Sequence, residues 1–160
     1  MRIEQINIAE ELDVVGDLIR LAFSEVADRM GFTRENSPGF TAFCSNERLL
    51  EQLSQAETRC LGIWEAGKRV GFVAVAPYED EFIITRLVVH PEFQHRGYGR
   101  ALMDAACDVA REMHLTEIGL GLVNENRVLK KWYEAQGFVV DEIYPVSCAA
   151  YTVCAMTKEL

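Results

Sequence analysis

The segment Leu87-Val88-Val89-His90-Pro91-Glu92-Phe93-Gln94-His95-Arg96-Gly97-Tyr98-Gly99-Arg100-Ala101-Leu102 holds the densest chemistry in the chain. An apolar run ends near Pro91, a loop with two glycines follows, and a helical pattern begins there. The first amides of a helix have no partners within it, and the helix dipole adds partial positive charge at that end. Glycine lets a ligand come close to the backbone. His95, Arg96 and Arg100 add local positive charge. Such a place suits an anion, and a diphosphate above all. A phosphate loop of the form GxxxxGK[ST] is absent from the chain. A dinucleotide fingerprint would need a third glycine where Leu102 stands.

The elements that must hold this loop follow from periodicity. Leu12, Val15, Ile19, Ala22, Phe23 and Val26 recur at helical spacing and predict a helix from about Ala9 to Met30. Gly31 then supplies a left-handed stop, and Phe32 can fold back on the last turn. Residues 32–46 read as an irregular loop, followed by a short helix with Leu49, Leu50 and Leu53 on one side. Residues 60–65 and 69–76 read as a hairpin turning at Ala66-Gly67-Lys68. Residues 82–90 are dense in Ile, Val and Leu, as a strand covered on both faces would be. Leu102, Ala106, Val109 and Met113 set the helix after the glycine loop. A strand at 117–122, a helix at about 125–136, a second Gly-Phe stop at Gly137-Phe138 and two strands complete the pattern. The order predicts helices first and then a mixed α/β sheet with a parallel pair inside it, as a single domain over 1–160.

The chain resembles the GNAT superfamily of acetyl-CoA-dependent N-acetyltransferases. The family signature [QR]xxGx[GA] after a strand of the form LxVxP is matched by Leu87-Val88-Val89-His90-Pro91 and Gln94 to Gly99. A second family element, an Asn early in a later helix, a Tyr seven residues on and then Gly-Phe, is matched by Asn126, Tyr133 and Gly137-Phe138. The resemblance covers about residues 62–138. It implies a GNAT-like sheet of about six to seven strands flanked by about four helices, with the cofactor in a cleft at the parallel pair. It further implies that backbone groups of Leu87, Val88 and Val89 pair with the pantetheine arm of acetyl-CoA. The backbone of Gln94, His95, Arg96, Gly97, Tyr98, Gly99 and Arg100 would cradle the pyrophosphate. Asn126 would reach the pantetheine or adenosine side, and Tyr133 would sit near the sulfur.

The reaction so implied is direct transfer of an acetyl group to a primary amine. An amine of pKa near 10.4 is only about one part in a few thousand neutral at pH 7, so its proton must be removed. The tetrahedral intermediate of that reaction carries an oxyanion, which backbone amides of the residue 82–90 strand could stabilise. A tyrosine hydroxyl near the departing thiolate can protonate it, which makes Tyr133 the expected general acid. By periodicity alone Tyr133 is also an aromatic on the apolar face with Val128, Leu129 and Trp132. Many relatives carry a Glu two residues before the Leu of LxVxP, and here that position is Thr85, which is no base. A water relay or another residue must serve. Glu79-Asp80-Glu81 reads as a solvated turn. The missing Glu keeps open a non-catalytic acyl-CoA-binding or sensing protein of the same fold.

Composition narrows the remaining classes. The 160 residues carry 16 basic and 25 acidic side chains, a formal charge of −9. That argues against nucleic acid and against a membrane surface as partner, and mildly favours cationic acceptors through steering. The acceptor, a small amine or a peptide lysine, stays open, as does assembly into a homodimer. Acceptor specificity is expected from residues 23–43 and 144–151, where Arg34 and Glu35 could meet charged groups. Five cysteines with no CxxC pair read as reduced, mostly packed thiols. His90 and His95 lack a third ligand, so no metal site is expected. No leader-like N-terminus and no apolar run long enough for a bilayer are seen, and a cytoplasmic location is expected. Trp64 and Trp132 read as core or half-buried residues.

Overall fold

The computed structural model describes residues 1–160. Asn7 opens helix α1 (Ile8–Met30) by accepting the Ala9 amide on its side chain at 3.0 Å. Gly31 closes it in the left-handed region (φ 75°), and Phe32 folds back into an aromatic cluster. The stripe of α1 buries Val15, Leu18 and Ile19. Ser45 caps α2 (Asn46–Leu53), whose Leu49 and Leu53 are buried against the same layer.

The strands are β1 (Arg2–Gln5), β2 (Arg59–Glu65), β3 (Lys68–Tyr78), β4 (Glu81–Val89), β5 (Glu117–Val123), β6 (Val139–Pro145) and β7 (Thr152–Glu159). They form one seven-stranded sheet in the order β1-β2-β3-β4-β5-β7-β6. The N-terminal strand β1 corrects the expected order, which placed a helix first. It is four residues long with polar Arg2 and Glu4, too short for alternation to show, and its pairing with β2 creates it. Ala66 (φ 52°) and Gly67 (φ 75°) make the tight hairpin turn between β2 and β3. Helix α3 (Tyr98–Glu112) follows β4, and α4 (Arg127–Ala135) follows β5.

Two apolar layers cover the sheet. One gathers α3, α4 and the strands between them around Leu102, Met103, Ala106 and Ile118. The other holds α1 and α2 against Phe72, Ala74 and Val88. Strand β4 contributes to both, as its apolar density predicted. In β4 the alternation changes phase. Phe72 pairs with Val88 but Ala74 with Thr85, so Arg86 and Leu87 together oppose Val73 in a bulge. Arg86 takes a left-handed conformation there (φ 56°). Ile84 before the bulge faces the α3 layer, while Val88 after it faces the α1 layer and Leu87 and Val89 turn to α3.

At the other end of the chain's first hairpin, Arg69 is buried in the β2–β3 region with its Nη2 at 2.6 Å from Glu11 and 3.2 Å from Glu4. Its guanidinium stands over Trp64, 5.4 Å from the ring centroid. Trp64 is 47% exposed, which corrects its reading as a core or half-buried residue. It covers a charged side chain at the end of β2, beyond Cys60, which carries the core on that face. Trp132 is half-buried. Cys60, Cys107 and Cys154 are buried, Cys44 is half-buried and Cys148 exposed, all as free thiols.

Candidate active site

Strands β4 and β5 run parallel, yet they meet at a single register pair, Ile83 with Gly119. Beyond it β4 continues toward Val89 paired only with β3, and β5 toward Val123 paired only with β7. The edge of β4 at Leu87, Val88 and Val89 that faces β5 therefore has no strand partner. Backbone groups left so are obligate hydrogen-bonding groups in search of one. The splay opens a gap through the sheet at the place where its two layers share β4.

The glycine loop stands at the mouth of this gap. Pro91–Phe93 form a short 3-10 turn capped by the His90 side chain, which accepts the Glu92 amide. Gln94 ties the loop to the strand by donating from its side chain to the Val89 carbonyl at 3.2 Å. His95 (φ 61°) and Gly97 (φ 86°) are both left-handed, and this alternation turns the next amides inward to a common centre. The amides of His95, Arg96, Gly97, Tyr98, Gly99 and Arg100 find no acceptor within the chain, because α3 begins its own bonds at Ala101 and Leu102. A Cβ built on Gly97 meets nothing within 4 Å, so the backbone there is open to a ligand. A Cβ on Gly99 would lie 3.7 Å from Trp132, an ordinary contact.

The side chains of the loop divide by direction. Those of His95, Arg96 and Arg100 are exposed, with Arg96 resting over Phe93. The ring of Tyr98 is buried, and its hydroxyl donates to Glu65, so only its amide belongs to the cradle. Asn126 caps α4 by accepting the Leu129 amide at 3.4 Å, a local task that leaves its amide nitrogen free of protein partners. His90 is committed to its turn and His95 points to solvent. No group of three or more His, Cys, Asp or Glu side chains converges anywhere.

Tyr133 lies in the α3 layer, edge-on to Trp132 and Phe138 with centroids 5.1 and 5.8 Å away. Leu87 and Val89 pack against the same cluster. The ring is 7% exposed. Burial alone pushes its pKa well above the usual tyrosine value, so it keeps its proton. Thr85 is half-buried just before the bulge, where its hydroxyl accepts from Arg86 Nη1 at 3.3 Å. Glu79-Asp80-Glu81 is an exposed turn at the paired end of β4, on the far side of the Ile83–Gly119 bridge from Leu87–Val89.

On the opposite layer the expected acceptor region is assembled as a wall. Phe23, Phe32, Phe40, Phe43 and Tyr151 cluster, edge to face except for the tilted Phe32–Tyr151 pair. The Ser37 hydroxyl, fully buried, accepts the Ala150 amide and joins the α1–α2 segment to the β6–β7 segment. Arg34 lies over Phe43 and Glu35 is exposed. Sequence reasoning missed Arg86, whose one signal was a lone charge inside the apolar run Phe82–Val89.

Solved structures share this architecture. The PaiA N-acetyltransferase of Thermoplasma acidophilum, crystallised with coenzyme A, superposes with TM-score 0.74 at 20% identity over 100% of each chain. The ribosomal-protein-S18-alanine N-acetyltransferase of Escherichia coli gives 0.73 at 18% identity, over 99% of this chain and 92% of that one. Aminoglycoside 6'-acetyltransferase type Ii gives 0.76 at 18% identity, over 99% and 97%. At such identities the likeness is one of fold. No curated protein sequence matches the chain. The model of the acetyltransferase (GNAT) family matches residues 22–138, spanning the splayed strands, the glycine loop and Tyr133. With that match over most of its length, the chain belongs to the acetyltransferase (GNAT) family.

Proposed function

We propose that this protein transfers the acetyl group of acetyl-CoA directly to the primary amine of an acceptor that enters from the α1–α2 side. One observation carries the reading: a run of unpartnered amides from His95 to Arg100 stands at the end of a β4 edge that no strand covers. A diphosphate fits the first and an amide-bearing arm fits the second, which is how coenzyme A is built. Bound there, acetyl-CoA supplies an activated thioester carbonyl.

The chain's own groups then have separable tasks. The cradle amides and the positive end of α3 hold the pyrophosphate. The Leu87–Val89 edge aligns the arm, and amides at the bulge donate to negative charge developing on the carbonyl oxygen. Tyr133, kept protonated by burial, gives its proton to the departing thiolate. No carboxylate occupies the position of Thr85, so the acceptor's proton leaves through solvent. The five free thiols support a reducing compartment such as the cytoplasm. Exposed Val139, Val140, Ile143 and Tyr144 on the edge strand β6 support pairing with a second copy.

Thiol release from acetyl-CoA across a panel of amines, amino acids, aminoglycosides, polyamines and lysine peptides tests the reading, with Tyr133→Phe beside it. Acceptor-dependent release that the variant loses supports it. Binding of acetyl-CoA with no release by any acceptor would turn it into a sensing protein. No binding at all would end it.

A further inference from the structure

We infer that the acceptor carries a carboxylate, and that Arg86 on the β4 bulge, with Arg48 on α2, receives it. The inference rests on the transferase reading above and names what the acceptor pocket selects.

A cavity of about 190 Å³ opens between the α1–α2 segment and β4, walled by Phe40, Thr41, Cys44, Arg48, Gln52 and Arg86. No carboxylate lines it. In a chain of net charge −9, both cationic side chains of this pocket lack an acidic partner, for neither takes part in any ion pair. Arg86 Nη2 is held by the neutral Gln52 Oε1 at 2.7 Å and Nη1 by the Thr85 hydroxyl, while Nε is buried without any acceptor. A half-buried guanidinium whose Nε is sealed from solvent without an acceptor and whose other nitrogens meet only neutral oxygens, with a second guanidinium nearby, presents an unmet demand for an anion. Burial is the main cause that lowers its pKa; Cys44 on the same pocket wall acts against that shift, and the nearby Arg48 adds to it.

The location connects this demand to the reaction. Arg86 directly precedes Leu87, where the uncovered edge of β4 begins, and the bulge swings it away from the α3 layer that holds Tyr133. The gap between β4 and β5 passes from one layer to the other beside it. An acceptor anchored in this pocket would present its amine to that gap. The volume lies below the ~300 Å³ at which drug-sized pockets begin, so it admits the end of a small molecule. A planar carboxylate matches the guanidinium fork. A polycationic acceptor would meet repulsion there, contrary to the steering that net charge alone suggests.

The test uses isotope-labelled protein saturated with CoA, observing the Arg86 Nε–H resonance, assigned by its loss in Arg86→Lys. Glycine, β-alanine, L-methionine and L-phenylalanine are titrated, each beside its carboxamide, and inorganic phosphate separately. At least one carboxylate should shift the resonance and bind roughly tenfold to a hundredfold more tightly than its carboxamide, the range of a hydrogen bond to a charged group. Arg48→Gln, at an exposed position where folding is not at stake, should weaken that carboxylate roughly tenfold. No shift with any carboxylate, equal response to carboxamides, or response to phosphate alone overturns the inference. CoA leaving the His95–Arg100 amides unmoved would instead overturn the transferase reading.

Discussion

Replacing Gly97 by alanine separates two consequences that the structure assigns to one atom. In the free protein the new Cβ touches nothing, since no heavy atom lies within 4 Å of it. Its cost is conformational. Gly97 sits at φ 86°, where a side chain costs about 1–2 kcal/mol. For a chain of this size that is a melting temperature lower by about 2–8 °C. In the bound state the same methyl stands where the pyrophosphate must approach the amides. Losing one amide-to-anion bond costs about 1.5–3 kcal/mol, roughly tenfold to a hundredfold in affinity. The assay is kcat/KM with acetyl-CoA and with acetyl-pantetheine, which has no phosphate, alongside melting. The first should fall by that factor, and the second should hold. Gly99→Ala is the control, because its Cβ makes only ordinary contact with Trp132 and Val89. Equal losses with both donors, or no loss with either, would refute the cradle.

Other perturbations test the remaining parts. Tyr133→Phe should leave acetyl-CoA affinity within about twofold and lower kcat by about 10²–10⁴, the usual range for a lost general acid; calorimetry and steady-state rates give the two numbers. Burial pushes the Cys60 thiol up from 9.0 to about 11. The stability this represents is fully present below the unfolded value and is lost as pH rises through the folded one, about 3 kcal/mol between pH 9 and 11. Urea unfolding should therefore fall more steeply with alkaline pH in the native chain than in Cys60→Ala. Glu11→Ala takes from the buried Arg69 its closest carboxylate, at 2.6 Å, and should cost about 3 kcal/mol in the same assay, softened by Glu4. A Cβ on Gly71 would lie 2.9 Å from Leu102 and 3.3 Å from Ile63, so Gly71→Ala should destabilise by about 1–3 kcal/mol through overpacking of α3 on β3.

What the sequence made legible follows a physical line. Helices α1, α3 and α4 and the apolar β4 carry their own periodicity or density, and the glycine loop carries its chemistry in consecutive residues. All of these are local. Strand β1 exists only through β2, and the exposure of Trp64 only through Arg69 beneath it. The gap between β4 and β5 is likewise non-local, since it depends on the two strands parting after Ile83 and Gly119.

The bulge at Arg86 joins these two kinds of information. Read as a regular strand, residues 82–90 would put Ile84, Arg86 and Val88 on one face, a charge between two core residues. The extra residue opposite Val73 resolves that conflict by changing the phase, so that Ile84 and Val88 enter different cores. The cost is a left-handed arginine (φ 56°) and a half-buried guanidinium on the α2 side, its Nε sealed from solvent, without a carboxylate. Strain of about 1–3 kcal/mol at a non-glycine residue persists only where the surroundings enforce it, and such positions gather at functional sites. A purely structural role for Arg86 predicts that Arg86→Met, which fills similar volume but loses the bonds to Gln52 and Thr85, melts lower with its selectivity unchanged. A role in holding the acceptor predicts that the same variant melts no lower yet loses discrimination between a carboxylate and its carboxamide. Stability and selectivity, measured on one variant, then separate the two explanations of the same bulge.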